Sequence, residues 1–157
     1  MSKKIAVGAD HAGFPLKAPV IKYLKENGFE VTDFGTNSTD PVDYPDYAEK
    51  VGEAIKEGKA DMGVVLCGSG VGASVAANKI PGVRAGLCHD TFSARQGRED
   101  DDTNVLCMGA RVVGESLALE ILKSFVHAEF SNAERHKRRL NKVISIEKQY
   151  MNQPVGG

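Results

Sequence analysis

The stretch that most constrains this chain is residues 62–79, MGVVLCGSGVGASVAANK. Gly63, Val64, Val65 and Leu66 form an apolar run that ends at Cys67. Glycines follow at alternate positions, Gly68, Gly70 and Gly72, and an Ala-rich, helix-forming segment comes next. A continuous apolar run marks a parallel strand buried on both faces. Glycines directly after it permit a tight turn that exposes backbone N–H groups before a helix begins. Such groups, at the positive end of a helix, hold an anion and favour negative charge on a neighbour. Cys67 is therefore a candidate reactive thiolate beside an anion hole.

The rest of the chain repeats this alternation of strand and helix. Residues 5–10 (IAVGAD) read as a first strand that delivers Asp10 and His11 at its carboxyl end. Leu16, Val20, Ile21 and Leu24 then fall at helical spacing, and Asn27-Gly28 stops that helix. Phe29 to Phe34 gives a second strand, residues 36–45 a polar loop, and Tyr47 to Ile55 a helix ended by Gly58. After the glycine turn come a fourth strand over 83–88, a helix capped by Asp90, and a fifth strand over 104–108. Helices over 117–125 and 132–150 follow. This order predicts an α/β fold with a mostly parallel five-stranded sheet, helices on both faces, and ligand groups at the carboxyl ends of the strands. The groups singled out on that ground are Asp10, His11, Cys67, His89, Asp90 and Asn104.

Length and charge narrow the function classes. A chain of 157 residues suits one domain, here residues 1–151, with residues 152–157 as a disordered tail. Lys and Arg total 20 against 21 Asp and Glu, so no global field recruits nucleic acid or an anionic membrane. Three cysteines without C-x-x-C spacing argue against a disulfide framework and a zinc site. No apolar stretch approaches the ~18 residues of a membrane span, and residues 1–4 lead into a strand, not a signal-peptide core. The expectation is a cytoplasmic protein.

Several motif readings compete for the glycine turn. GSGVGA satisfies the loose dinucleotide pattern G-x-G-x-x-A, with Asp90 at about the distance of a ribose contact. Against it, the motif follows the third strand rather than the first and leaves Cys67 without a role. A cysteine-phosphatase loop needs an arginine where Ala73 stands. A P-loop over residues 8–13 needs Lys and Ser or Thr where Phe14 and Pro15 stand. Cys67 as a buried core thiol stays open, as Cys88 and Cys107 are read. Arg135 and Arg139, four apart with His136 beside them, suit either a solvated basic face or a phosphate, whose oxygens match the guanidinium fork. A thiol, an anion-holding turn and an arginine pair together suggest proton abstraction next to the carbonyl of a phosphorylated substrate.

The ordered motifs G-x-D-H-x-G (residues 8–13), F-G-T (34–36), D-Y-P (43–45), C-G-S-G-V-G (67–72), A-A-N-K (76–79), N-V-L (104–106), G-A-R-V-V-G (109–114) and R-H-x-x-R (135–139) resemble ribose-5-phosphate isomerase type B. That family also includes the galactose-6-phosphate isomerase subunits. The resemblance implies a Rossmann-like three-layer αβα sandwich whose C-terminal helix reaches a partner subunit. It implies a homodimer or dimer of dimers with active sites at the subunit interface, and an aldose-ketose isomerase with no cofactor and no metal. By the same resemblance Cys67 is the base, and Gly68, Ser69, Gly70, Val71 and Gly72 hold the enediolate oxygen. Asp10, His11, Tyr44 and Asn104 bind sugar hydroxyls; Arg111, Arg135, His136 and Arg139 bind phosphate. Some relatives place a glutamate just after the turn, but Ala73 stands there. The family's pentose isomerases commonly carry a ring-opening histidine where this chain has Asp100, which becomes the candidate for that step. An isomerase of another pentose or hexose phosphate is the alternative substrate reading. A non-catalytic nucleotide-binding module is the alternative from a different class.

Overall fold

A computed structural model describes residues 2–156. Five parallel strands, β1 (Lys4–Ala9), β2 (Glu30–Asp33), β3 (Met62–Cys67), β4 (Ala85–Leu87) and β5 (Val105–Gly109), form one sheet in the order β2-β1-β3-β5-β4. Between them run α1 (Phe14–Glu26), α2 (Tyr44–Lys56), α3 (Val71–Ala77) and α4 (Thr91–Asp101). The helices α5 (Glu115–Val126) and α6 (Glu134–Tyr150) follow. From β1 the chain steps outward to β2, then returns to the other side of β1 to make β3. The connections leave a crevice at the carboxyl ends of β1 and β3, where open α/β sheets bind ligands.

Alternation along each strand sorts the side chains into two layers. Ile5 and Val7, Met62, Val64 and Leu66, and Leu106 and Met108 face α1, α4 and α5, joined by Leu16, Val20, Leu24, Ile121, Leu122 and Phe125. Ala6, Val65, Cys67, Val105 and Cys107 face α2 and α3, whose contacts are Ala48, Val51, Ala54, Ala73 and Ala77. The second layer is built from small side chains, so the helices carrying Tyr44 and the glycine turn lie close against the sheet. β3 is buried at all six positions, as its unbroken apolar run requires. β2 is an edge whose Glu30, Thr32 and Asp33 are exposed, a polarity that discourages pairing with another chain.

Three element boundaries differ from the sequence expectation for physical reasons. α2 begins at Tyr44 because Pro45 fits the first helical turn, where no N–H is needed. β4 is three residues long. Asn78 bonds both backbone groups of Ala85, at 2.8 and 3.0 Å, and closes the free edge of that strand. α6 starts at Glu134, since Asn132 sits at φ +57° and cannot be helical. α6 is tied to the body through His136 against Asp100 on α4 and through Glu147, which accepts from the Gly82 N–H at 2.7 Å. After it, residues 151–156 form a turn and irregular chain, and Gly157 of the expected tail lies outside the described residues. Among the described residues no helix is long and apolar enough to cross a membrane.

Candidate active site

Cys67 closes β3 with only 5% of its surface exposed, and the chain then turns through Gly68, Ser69 and Gly70 into α3. Gly70 adopts φ +80°, a left-handed conformation open to glycine, and its N–H donates to Cys67 Sγ at 3.0 Å. A backbone donor aimed at the sulfur stabilises it when it carries negative charge. The next donor is also committed: the Val71 N–H reaches Ser69 Oγ at 3.2 Å. α3 is seven residues long, so the turn gains a few free N–H groups from it rather than a long macrodipole. Gly109, at the end of β5, supports the turn from below. A Cβ there would meet Ser69 C at 2.5 Å and Gly68 O at 2.6 Å.

The end of β1 meets the same turn. Asp10 Oδ1 accepts from the N–H groups of Ala12 and Gly13, both at 2.9 Å, which folds residues 10–13 into a tight loop with the carboxylate buried. Gly13 lies so close to β3 that a Cβ would sit 2.1 Å from Leu66 O and 2.7 Å from Cys67 N. His11 Nδ1 accepts from the Val42 N–H at 3.1 Å, so its ring proton is on Nε2. Tyr44, 41% exposed, lays its ring over Gly72; a Cβ on Gly72 would stand 2.5 Å from Cε1. Arg111 donates its N–H to Gly68 O at 3.0 Å and keeps its guanidinium beside Gly68. Among the described residues no carboxylate pairs with it. The fold thus gathers Cys67, Gly68, Ser69, Gly70, Val71, Gly72, Asp10, His11, Tyr44 and Arg111 in one crevice.

The remaining expected residues lie at the opposite edge of the sheet. In the β3–β5 register Cys67 stands beside Gly109 and Gly63 beside Val105, so Asn104 precedes the amino end of β5, roughly 16 Å of strand from Cys67. Its side chain is spent inside the protein: Oδ1 accepts from the Arg84 N–H at 2.7 Å and Nδ2 donates to Gly82 O at 2.9 Å. Asn104 in this chain joins two loops. Asp100 ends α4 at this edge, with Oδ2 accepting from Gln96 at 2.7 Å and Oδ1 3.4 Å from His136 Nε2. His136 is buried, with its Nδ1 2.5 Å from Ser131 Oγ. Arg135 and Arg139 are exposed on the neighbouring turns of α6.

His89, singled out at the end of its strand as a candidate ligand group, takes a supporting place instead. His89 Nε2 accepts from the Gly109 N–H at 3.0 Å, which fixes the residue under the thiol turn. Cys88 and Cys107 are core thiols. Burial, with the Asp90 charge, pushes Cys88 up to about 11, and complete burial pushes Cys107 upward as well. Among the described residues no three His, Cys, Asp or Glu side chains converge as a metal-binding group.

The model of the ribose/galactose isomerase family matches residues 5–143. Ribose-5-phosphate isomerase B of Escherichia coli is 46% identical over 145 residues, which covers 92% of this chain and 97% of the relative. D-erythrulose-4-phosphate isomerase of Pectobacterium atrosepticum is 44% identical over 128 residues, covering 80% and 84%. Among solved structures, ribose-5-phosphate isomerase B of Clostridium thermocellum superposes with a TM-score of 0.90 at 49% identity, over 94% of this chain and 99% of that one. With the fold, the thiol turn and the matching span in agreement, the chain belongs to the ribose/galactose isomerase family.

Proposed function

We propose that this protein interconverts ribose 5-phosphate and ribulose 5-phosphate through a cis-enediolate. The observation that carries the reading is the Gly70 N–H held 3.0 Å from Cys67 Sγ at the bottom of a crevice lined by Asp10, His11, Tyr44 and Arg111. The Cys67 thiolate takes the proton from C2 of the open-chain aldose, the electron pair forms the C1–C2 double bond, and O1 becomes the oxyanion. Return of the proton to C1, with the O2 proton passing to O1, gives the ketose. Hydrogen moves as a proton throughout, so the reaction is internally balanced and calls for no redox cofactor. Asp10 and the Nε2–H of His11 suit sugar hydroxyls, and Arg111 suits an anionic oxygen.

A single chain leaves the phosphate end of such a site underprovided. Arg135 and Arg139 stand at the far edge of their own sheet, which supports a reading in which a second copy brings them, and Asp100, to Cys67. The exposed Val143, Ile146 and Tyr150 of α6 fit a helix that packs on that copy. The deciding assay is turnover of ribose 5-phosphate by wild type and Cys67→Ala. The expected result is loss of at least ~10³-fold in kcat with an unchanged melting temperature; a folded Cys67→Ala with near-wild-type turnover defeats the thiolate mechanism.

Asp100 favours a second substrate reading, a tetrulose phosphate. In a tetrose 4-phosphate the hydroxyl needed to close a furanose ring carries the phosphate, so no ring has to be opened and no histidine is required at this position. A relative named for D-erythrulose 4-phosphate falls in the same identity range as one named for ribose 5-phosphate. Comparing kcat/KM for pentose, tetrose and hexose phosphates decides between them.

A further inference from the structure

Lys17 lies on the buried face of α1, 5% exposed, among Leu16, Val20 and Leu24. A lysine ammonium is rarely enclosed unless each of its protons has a partner. Here all three do: Asp33 Oδ2 at 2.9 Å, Asp33 Oδ1 at 3.1 Å and Asn37 Oδ1 at 2.8 Å. Both partners belong to the segment that leaves β2 and leads to α2. Asp33 Oδ1 also accepts from the Gly35 N–H at 2.8 Å, and Gly35 O and the Thr36 N–H bond the backbone of Ala9, each at 2.6 Å. One charged group therefore fastens the start of this segment to α1, beside the backbone bonds that hold it to the carboxyl end of β1. The far end of the same segment presents the Val42 N–H to His11 Nδ1 and then delivers Tyr44 over Gly72.

We propose that Lys17 is a positioning residue for the reaction: by holding Asp33 and Asn37 it fixes residues 33–43, and through Val42 it fixes the orientation and tautomer of His11. Lys17 touches no reacting atom in this scheme. Its effect reaches the substrate through the Nε2–H that His11 offers and through the seat of Tyr44. The proposal rests on the reading that His11 and Tyr44 face a sugar phosphate, but its structural half is independent of that reading.

The experiment follows the His11 imidazole by nitrogen-proton correlation NMR and, in parallel, steady-state kinetics on ribose 5-phosphate. Wild type shows the Nε2–H tautomer. Lys17→Met, nearly isosteric and uncharged, is expected to give a mixture of tautomers and to lower kcat/KM about tenfold. Lys17→Arg is expected to restore part of both, because a cation again joins the two partners. Asn37→Ala changes an exposed side chain and leaves the helix core alone, so it reads the same tether even where Lys17→Met fails to fold. A wild-type tautomer signature with wild-type kinetic constants in folded Lys17→Met overturns the proposal; where that variant does not fold, the same result in Asn37→Ala overturns it. Absence of isomerase turnover in the wild type defeats the functional reading alone, and the tautomer signature then still decides whether Lys17 sets His11.

Discussion

Two glycines near Cys67 separate what holds the turn together from what the turn is for. At Gly109 an added Cβ meets main chain, Ser69 C at 2.5 Å and Gly68 O at 2.6 Å, and main chain at the foot of a buried strand has no room to retreat. Gly109→Ala should therefore cost about 1–3 kcal/mol of stability and distort the thiol turn. At Gly72 the nearest atoms to an added Cβ all belong to the ring of Tyr44, a side chain on a residue that is 41% exposed and that can give way more readily than main chain. Alanine is also the better helix former, by about 1 kcal/mol relative to glycine. Gly72→Ala should leave the melting temperature level or slightly raised while lowering kcat/KM, as Tyr44→Phe and Tyr44→Ala should do without the added methyl. Melts and kinetics on the two glycine variants test the division, and equal losses of stability in both would refute it. At this scale much of the crevice was legible in the sequence. Cys67, Asp10 and His11 each end an apolar run, and in a parallel sheet such residues share one edge. Asn104 misled because it precedes its strand, and the residue before a parallel strand lies at the other edge. The Lys17 tether was out of reach, since a lysine on a helix gives no sign that an aspartate 16 residues on will enclose it.

Helix α4 shows how a capping group read from the sequence becomes a measurable term. Asp90 precedes the helix in extended conformation and accepts from Ser93, from the N–H at 2.6 Å and from the hydroxyl at 2.8 Å. Those bonds, the backbone one first, hold its carboxyl below the usual carboxylate range. The folded value is lower than the unfolded one, so the cap's contribution is complete above the unfolded value and is lost as pH falls through the folded one. Melting temperatures of wild type and Asp90→Ala should accordingly differ at neutral pH and converge in acid; a gap that stays constant with pH would argue against this origin. The order and type of the elements followed from apolar periodicity because β3 and the faces of α1 and α5 are so thoroughly buried. Boundaries were less legible where a single residue decides them. Asn78 curtails β4 by bonding Ala85 from another element, and the left-handed Asn132 delays α6. Neither effect is visible in local composition.

For the whole molecule, the two edges of the sheet pose one question. Cys67 and Arg111 occupy the carboxyl edge, whereas Asp100, Arg135 and Arg139 belong to the amino edge, separated by the length of the strands. If Arg139 serves the Cys67 of its own chain, two inactive variants, Cys67→Ala and Arg139→Ala, contain no intact site in any mixture. If it serves the Cys67 of a second copy, a mixed dimer has one site in which both partners are altered and one in which both are native. Random pairing makes half of the dimers mixed, so about a quarter of wild-type turnover should return on co-expression of the two variants. Differently tagged chains let the mixed dimers be purified, and these should show about half of wild-type turnover per dimer with a KM close to wild type. Subunits folded separately and not allowed to exchange should remain inactive when combined. Recovery of a quarter of the activity would establish that Arg139 acts across the subunit boundary. Failure to recover any activity from purified mixed dimers would place the phosphate arginine within the same chain and require α6 to move toward the carboxyl edge.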